Sequence, residues 1–255
     1  MKLSGNTIFI TGGGSGIGRG LAEALHKLGN KVIIAGRRRS HLDAAIAANP
    51  GMEAVELDIT DPTSINQVAA KLIAEHPDLN VLINNAGIMQ PDAAAGKIDD
   101  ALMVATISTN LMGRIRMTSA LIEHLKGKSD AVVAYTSSVL GFVPLAATAI
   151  YSSTKAAVHS YTQSLRFQLE DSGVEVIELM PPAVQTDMTS EFPEEVRMIT
   201  TDELVRQTFA ALEAGKLEIR PGQSNQFAFL RRLAPNFINR QLWKASKEMV
   251  PAIAA

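Results

Sequence analysis

A doubly wound α/β fold, one parallel sheet of about seven strands with helices on both faces, is what three features of this 255-residue sequence predict. Short apolar runs alternate with helix-periodic segments along most of the chain, the pattern of repeated strand and helix units. The first run, Thr7 to Ile10, passes through a glycine-rich turn, Thr11 to Gly18, directly into a helical segment from Leu21 to Leu28. No linker, repeat or low-complexity tract breaks the chain, and 46% apolar against 20% charged residues is enough for one large core.

The turn carries the first functional signal. Gly12, Gly16 and Gly18 follow a G-x-x-x-G-x-G spacing between a strand and a helix. Glycines let the backbone turn tightly and let a ligand approach it, while the free amides and dipole of a helix start stabilise negative charge. Gly12, Ser15, Gly16, Ile17 and Gly18 are therefore expected to hold the diphosphate of a dinucleotide on a Rossmann-type sheet. The second strand, Lys31 to Ala35, runs into Gly36-Arg37-Arg38-Arg39, and no carboxylate follows until Asp43. A carboxylate there would suit the ribose 2′-hydroxyl of NAD, whereas a guanidinium suits the 2′-phosphate of NADP. Arg37, as first contact, and Arg38 thus favour NADP, with NAD less suited.

Ser40 is expected to cap a helix that reaches Asn49 and stops at Pro50-Gly51. The third strand, Glu53 to Leu57, delivers Asp58 and Ile59 at its C-terminal end. Asp58 can accept from an adenine amino group or help cap the next helix, Thr63 to Glu75, and both readings stand. The fourth strand, Asn80 to Ile83, ends in Asn84-Asn85-Ala86-Gly87, where small residues leave room for a ring and ribose and Asn84 can brace neighbouring strand ends. In the helical stretch from about Asp99 to Leu125, Asn110-Leu111-Met112-Gly113 weakens the interior and predicts a kink or a functional group there. The fifth strand, Ala131 to Thr136, leads to Ser137-Ser138. The helix opening near Ile150 places Tyr151 and Lys155 four residues apart on one face.

In this order and at these separations, Thr11 to Gly18, Asn84 to Gly87, Asn110, Ser138 and Tyr151-Ser152-Ser153-Thr154-Lys155 resemble the short-chain dehydrogenase/reductase family, in its compact single-domain branch. The match spans about residues 3 to 222, which sets a catalytic Rossmann domain, 1–222, apart from an extension, 223–255. The resemblance implies a catalytic set of Asn110, Ser138, Tyr151 and Lys155. It also implies cofactor contacts from Tyr151, Lys155, Val184 and Thr186, the last two after a sixth strand, Val174 to Met180. Pro182 stands where the family usually has glycine, and proline removes an amide donor.

The chemistry fits these residue types. Hydride transfer to a ketone puts negative charge on its oxygen, so an acid and hydrogen-bond donors must face that atom. Tyr151 is the expected acid, its phenol lowered from about 10 by the Lys155 ammonium. Ser138 donates to the same oxygen, and by resemblance Asn110 holds a water that relays a proton to Lys155. Asp187 to Thr200 is expected to form a mobile lid; Met188, Phe192, Met198 and Ile199, with Phe142, Leu145 and Ile88, suggest a hydrophobic ketone or secondary alcohol as substrate.

A helix from Thr201 to Ala214 and a last strand, Leu217 to Gly222, lead to a tail in which Phe227, Phe229, Leu233, Phe237 and Trp243 alternate with Arg231, Arg232, Arg240 and Lys244. It is expected to dock on a partner subunit, line the substrate pocket, or lie on a membrane, in that order. The start and the tail resemble a bacterial subgroup of DltE-type oxidoreductases. A homotetramer or dimer packed through the helices of Asn110 and Tyr151 is expected. A net charge of −2 gives no general pull toward nucleic acid or an anionic membrane. The chain has no cysteine, which fits a cytoplasmic setting and rules out a thiolate nucleophile; Lys2 precedes no signal-peptide core, and no apolar run approaches the length of a span. The five histidines lie singly, so no metal site is expected. Two other functions fit the sequence: a 3-oxoacyl thioester reductase with Arg114 and Arg116 as a docking patch for an acidic carrier, and a non-catalytic NADP-sensing regulatory protein.

Overall fold

The computed structural model describes residues 1–249; residues 250–255 of the predicted extension lie outside them. Seven strands form one sheet, β1 (Thr7–Thr11), β2 (Lys31–Gly36), β3 (Glu53–Glu56), β4 (Leu79–Asn84), β5 (Val132–Thr136), β6 (Glu175–Leu179) and β7 (Glu218–Ile219). They run parallel in the order β3-β2-β1-β4-β5-β6-β7. Alternation along each strand feeds two cores. Ile8 and Ile10 of β1 pack with α1 (Gly16–Lys27), α2 (Arg39–Ala48) and α7 (Thr201–Glu213), whereas Phe9 packs with α3 (Pro62–Glu75), α5 (Gly113–Lys126) and α6 (Ala149–Gln168). Each fully buried leucine or isoleucine in these layers contributes about 1.5–3 kcal/mol.

The order of strands reverses between β1 and β4, and a crevice opens there beyond their C-terminal ends. The predicted helical kink is a π-helical turn, Ser108–Met112, between α4 (Asp100–Ile107) and α5. Two expected caps are different residues. Arg38, not Ser40, precedes α2 and makes no side-chain cap, because the helix begins one residue before Ser40. Asp61, not Asp58, caps α3 by accepting from Thr63 N at 2.9 Å and Ser64 N at 3.2 Å, with Pro62 preset at the first helical position. The extension forms α8 (Ser224–Leu233) and α9 (Pro235–Met249), which fold back on the same chain. Arg231 Nε donates to Phe142 O at 3.1 Å, and Ala147 N donates to the buried Ser246 Oγ at 3.2 Å.

Candidate active site

A cavity of about 700 Å³ lies along the crevice, and the glycine turn forms one end of it. Gly12 has φ +69°, and a Cβ on it would lie 2.7 Å from Ala86 Cα, so the turn closes against the segment after β4 only because glycine stands there. Asn85 N and Ala86 N both donate to Thr11 Oγ1 at 3.1 Å, fixing that contact. A Cβ on Gly18 would overlap the Gly12 carbonyl oxygen, so Gly18 serves the packing of α1 under the turn and does not line the cavity. Arg37 and Arg38 line it, and Arg38 Nη2 donates to Ser15 Oγ at 3.1 Å, joining the end of β2 to the turn.

Of the other expected cofactor contacts, Gly12, Ser15, Gly16, Ile17, Ile59, Ala86, Gly87, Val184 and Thr186 line the cavity, and Asp58 and Asn84 do not. One carboxylate oxygen of Asp58 accepts from Thr60 N at 2.9 Å and Thr60 Oγ1 at 2.7 Å. Hydrogen bonding from the Thr60 backbone, with the nearby Arg37 charge, holds its pKa below the ordinary value. Asn84 is fully buried and donates to Thr118 Oγ1 at 2.9 Å, a brace from β4 to α5.

At the other end α6 presents Tyr151 and Lys155 on one face, with Lys155 Nζ 5.2 Å from the phenol ring centroid. Ser138, at the end of β5, favours the ionised phenol through a hydrogen bond, and its Oγ accepts from Leu140 N at 3.1 Å. Lys155 Nζ donates to Thr136 O at 2.9 Å. All three line the cavity. Asn110 does not. From the π turn its side chain accepts from Ile88 N and donates to Ile88 O, both at 2.8 Å, and also reaches Thr154 Oγ1 at 3.3 Å. Its amide is thus committed to holding the segment after β4 against α6.

The electrostatics differ from the sequence expectation. Burial pushes the Tyr151 phenol up, and the influences opposing it are Arg114 and the Ser138 hydrogen bond. Burial pushes Lys155 well below its ordinary range, with Arg114 adding to the effect and Glu178 opposing it. Arg114 is 1% exposed and lines the cavity. Its guanidinium donates to Thr136 O at 2.7 Å, Ala86 O at 2.8 Å and Asn85 O at 3.1 Å. Burial lowers its pKa to about 10. Arg114 therefore cannot belong to a surface docking patch, because it sits inside the molecule at the reaction end of the cavity. A sequence signal for this existed: Arg114, Met117, Leu121 and Leu125 form one buried stripe of α5.

Apolar side chains line much of the cavity, together with the polar Gln90, Asp187, Arg197 and Gln223. Ile88, Leu145, Met188 and Phe192 line it as expected, while Phe142, Met198 and Ile199 do not. Phe142 stacks edge-on to His159 and lies 5.9 Å from the Arg220 guanidinium. Ile199 bridges to Val184, its amide donating to Ala183 O at 3.1 Å, which ties down the start and end of the Asp187–Thr200 stretch. Leu140, Val143, Val196 and, from the extension, Phe227 and Leu242 also line it. Sequence reasoning left the place of the extension open because helical periodicity shows an apolar face without showing what covers it.

A parallel sheet with a glycine turn at its switch point and a Ser, Tyr and Lys set across the crevice has the layout of an oxidoreductase. The sequence profile of the short chain dehydrogenase family matches residues 6–197, and the chain belongs to that family. It is 37% identical over 225 residues to the uncharacterized oxidoreductase DltE of Bacillus subtilis, covering 86% of this chain and 89% of that protein. The NADP-dependent 3-hydroxy acid dehydrogenase of Schizosaccharomyces pombe is 33% identical over 196 residues, covering 74% of this chain and 75% of that protein. Among solved structures, a short chain dehydrogenase from Burkholderia cenocepacia in complex with NADP superposes with a TM-score of 0.85 at 28% identity, covering 95% of this chain and 99% of that one. Among the described residues, no helix is long and apolar enough to cross a membrane, and no group of three or more His, Asp or Glu side chains is placed to hold a metal ion.

Proposed function

We propose that this protein is an NADP-dependent carbonyl reductase or alcohol dehydrogenase, with Tyr151 as its acid and base. The observation that carries the reading is one continuous cavity whose lining includes the glycine turn and Arg38 as well as Ser138, Tyr151 and Lys155. The donors fit the cofactor. Close approach at Gly12 leaves backbone at the surface of the cavity, Arg37 and Arg38 supply guanidinium groups for a 2′-phosphate, and Lys155 would hold the nicotinamide ribose. Val184 and Thr186 would flank the carboxamide, and Ile59 the adenine. When bound, the reduced nicotinamide supplies the hydride.

The chain does the rest. Ser138 donates a hydrogen bond to the carbonyl oxygen and Tyr151 gives it a proton, so that a ketone becomes a secondary alcohol; alcohol oxidation reverses both steps. Lys155 returns a proton to the phenol and is itself reprotonated from solvent, so that each turnover consumes one proton from water. Asn110 holds Ile88 and Thr154 so that α6 and the strand ends keep their spacing. The apolar wall built by Leu145, Phe192, Phe227 and Leu242 suits a hydrophobic carbonyl compound. The 1–222 unit would carry the chemistry, with residues from 223 onward closing the substrate end of the same chain. A cytoplasmic homo-oligomer packed through the helices of Asn110 and Tyr151 completes the proposal.

The test is fluorescence titration with NADPH and NADH, followed by turnover of aryl ketones, diketones and 3-oxo esters. NADPH should bind more tightly, and Tyr151→Phe should keep that binding while losing about 10²–10⁴-fold in kcat. A Tyr151→Phe protein that turns over like the wild type defeats the assignment. Faster turnover of 3-oxoacyl thioesters than of free ketones would favour the thioester reading. Tight NADPH binding with no turnover of any carbonyl compound would favour the regulatory one.

A further inference from the structure

We propose that Arg114 is a positioning residue of the reaction centre, a permanent cation held by three main-chain carbonyls that sets the pH at which the Tyr151–Lys155 pair gives up its first proton. The inference rests on the proposed function in taking that pair as the acid and base. Its geometry is independent of any ligand. The guanidinium ties the Asn85–Ala86 segment after β4 to Thr136 at the end of β5, and it shares the Thr136 carbonyl with the Lys155 ammonium.

Two cations on one acceptor in the interior would ordinarily be matched by a carboxylate. Among the described residues no ion pair includes either of them. The carboxylate that acts on Lys155 is Glu178 of β6, whose oxygens already take Ser137, Thr162 and His159. Tyr135 of β5 is no counter-charge, because burial holds it protonated and its hydroxyl is shared with Thr118.

The groups facing the pair are therefore Arg114 from α5, Glu178 from β6, the neutral Tyr135 from β5 and, behind Glu178, His159 from α6. Of the two cations, the guanidinium is the one that stays charged through the neutral range. A fixed positive charge favours loss of a proton from the pair whether the phenol or the ammonium releases it, so the sign of the effect does not depend on which of them does. At an effective dielectric of about 20, one charge about 5–6 Å away, roughly the separation of two donors on one carbonyl, shifts such a titration by about two pH units.

The experiment is a ¹³C NMR titration of purified protein carrying [ζ-¹³C]tyrosine and [ε-¹³C]lysine, with and without NADP⁺, assigned with Tyr151→Phe and Lys155→Met. In Arg114→Gln the earlier midpoint of the pair should rise by about one pH unit or more, and Arg114→Lys should bring it back to within about half a unit of wild type. A folded Arg114→Gln protein with an unchanged midpoint overturns the proposal and leaves Arg114 as a packing residue. Should that variant not fold, Arg114→Met, which removes the charge and keeps an unbranched chain, takes its place with the same expected rise, and a wild type that retains both protons to about pH 10 overturns the proposal by itself. No step of the titration needs turnover, so a protein inactive toward every carbonyl compound would defeat the proposed activity without touching this result.

Discussion

Replacing Glu178 by glutamine tests how the catalytic edge of the sheet is held. The carboxylate is fully buried and accepts from Ser137 Oγ at 2.5 Å and Thr162 Oγ1 at 3.0 Å, with His159 Nδ1 at 2.8 Å. Burial raises its pKa, but hydrogen bonds from His159, Ser137 and Thr162 together outweigh burial and leave it lowered. His159 is raised, first by its hydrogen bond to Glu178, against the effect of burial. A lowered carboxylate stabilises the fold above its unfolded value near 4.5 and loses that contribution as pH falls through the folded value. A raised imidazole stabilises it fully below about 6.5 and loses that contribution as pH rises through the folded value. The pair is therefore strongest between about pH 4.5 and 6.5.

An amide at position 178 has one oxygen for three donors, so one charge-assisted bond is lost and at least one buried donor is left unpaired, for about 2 kcal/mol at pH 8.5. At pH 5.5 the imidazolium loses its counter-charge as well, and the cost rises to about 3 kcal/mol. Urea unfolding of wild type and Glu178→Gln at the two pH values measures the difference. An equal loss at both would refute the ion pair, and no loss at either would refute the buried network.

Three further outcomes follow from the cavity. Arg38→Ala, which removes the guanidinium bound to Ser15, should cut the preference for NADPH over NADH about tenfold or more, read from the two dissociation constants; an unchanged ratio would move the 2′-phosphate assignment to Arg37 alone. Phe227→Ala should widen the apolar end, raising KM for small ketones and admitting bulkier ones, whereas unchanged specificity would place the substrate away from the extension. Gly18→Ala should lower stability by about 1–3 kcal/mol in thermal or urea melts, because its methyl group would overlap the Gly12 carbonyl oxygen; a neutral effect would show that α1 can shift away from the turn.

Sequence by itself determined the sheet, the glycine turn, and the order of the Ser138, Tyr151 and Lys155 segments, because each depends on local periodicity or on spacing within one element. Even the break near Asn110 was legible, since asparagine and glycine weaken a helix wherever it lies. Local boundaries were less so. Ser40 and Asp58 each have the chemistry of a cap, and the helices began one residue before the first and four after the second.

What only the tertiary structure decided is which charges share a site and what the apolar faces cover. Arg114 reads in sequence as one of two arginines in a helix, but the turn of α5 buries it beneath the ends of β4 and β5, where it faces Lys155 and Tyr151. Phe142 reads as a pocket residue like Leu145, yet the chain turns its ring toward His159 and Arg220. Phe227 and Leu242 come from a tail whose amphipathic pattern is satisfied equally by a subunit, a membrane or its own chain, and the fold places both in the cavity wall. The physical reason is common to all three. Periodicity fixes which face of an element is apolar or charged, whereas burial, and with it the strength of every charge in the site, depends on contacts between residues far apart in the chain.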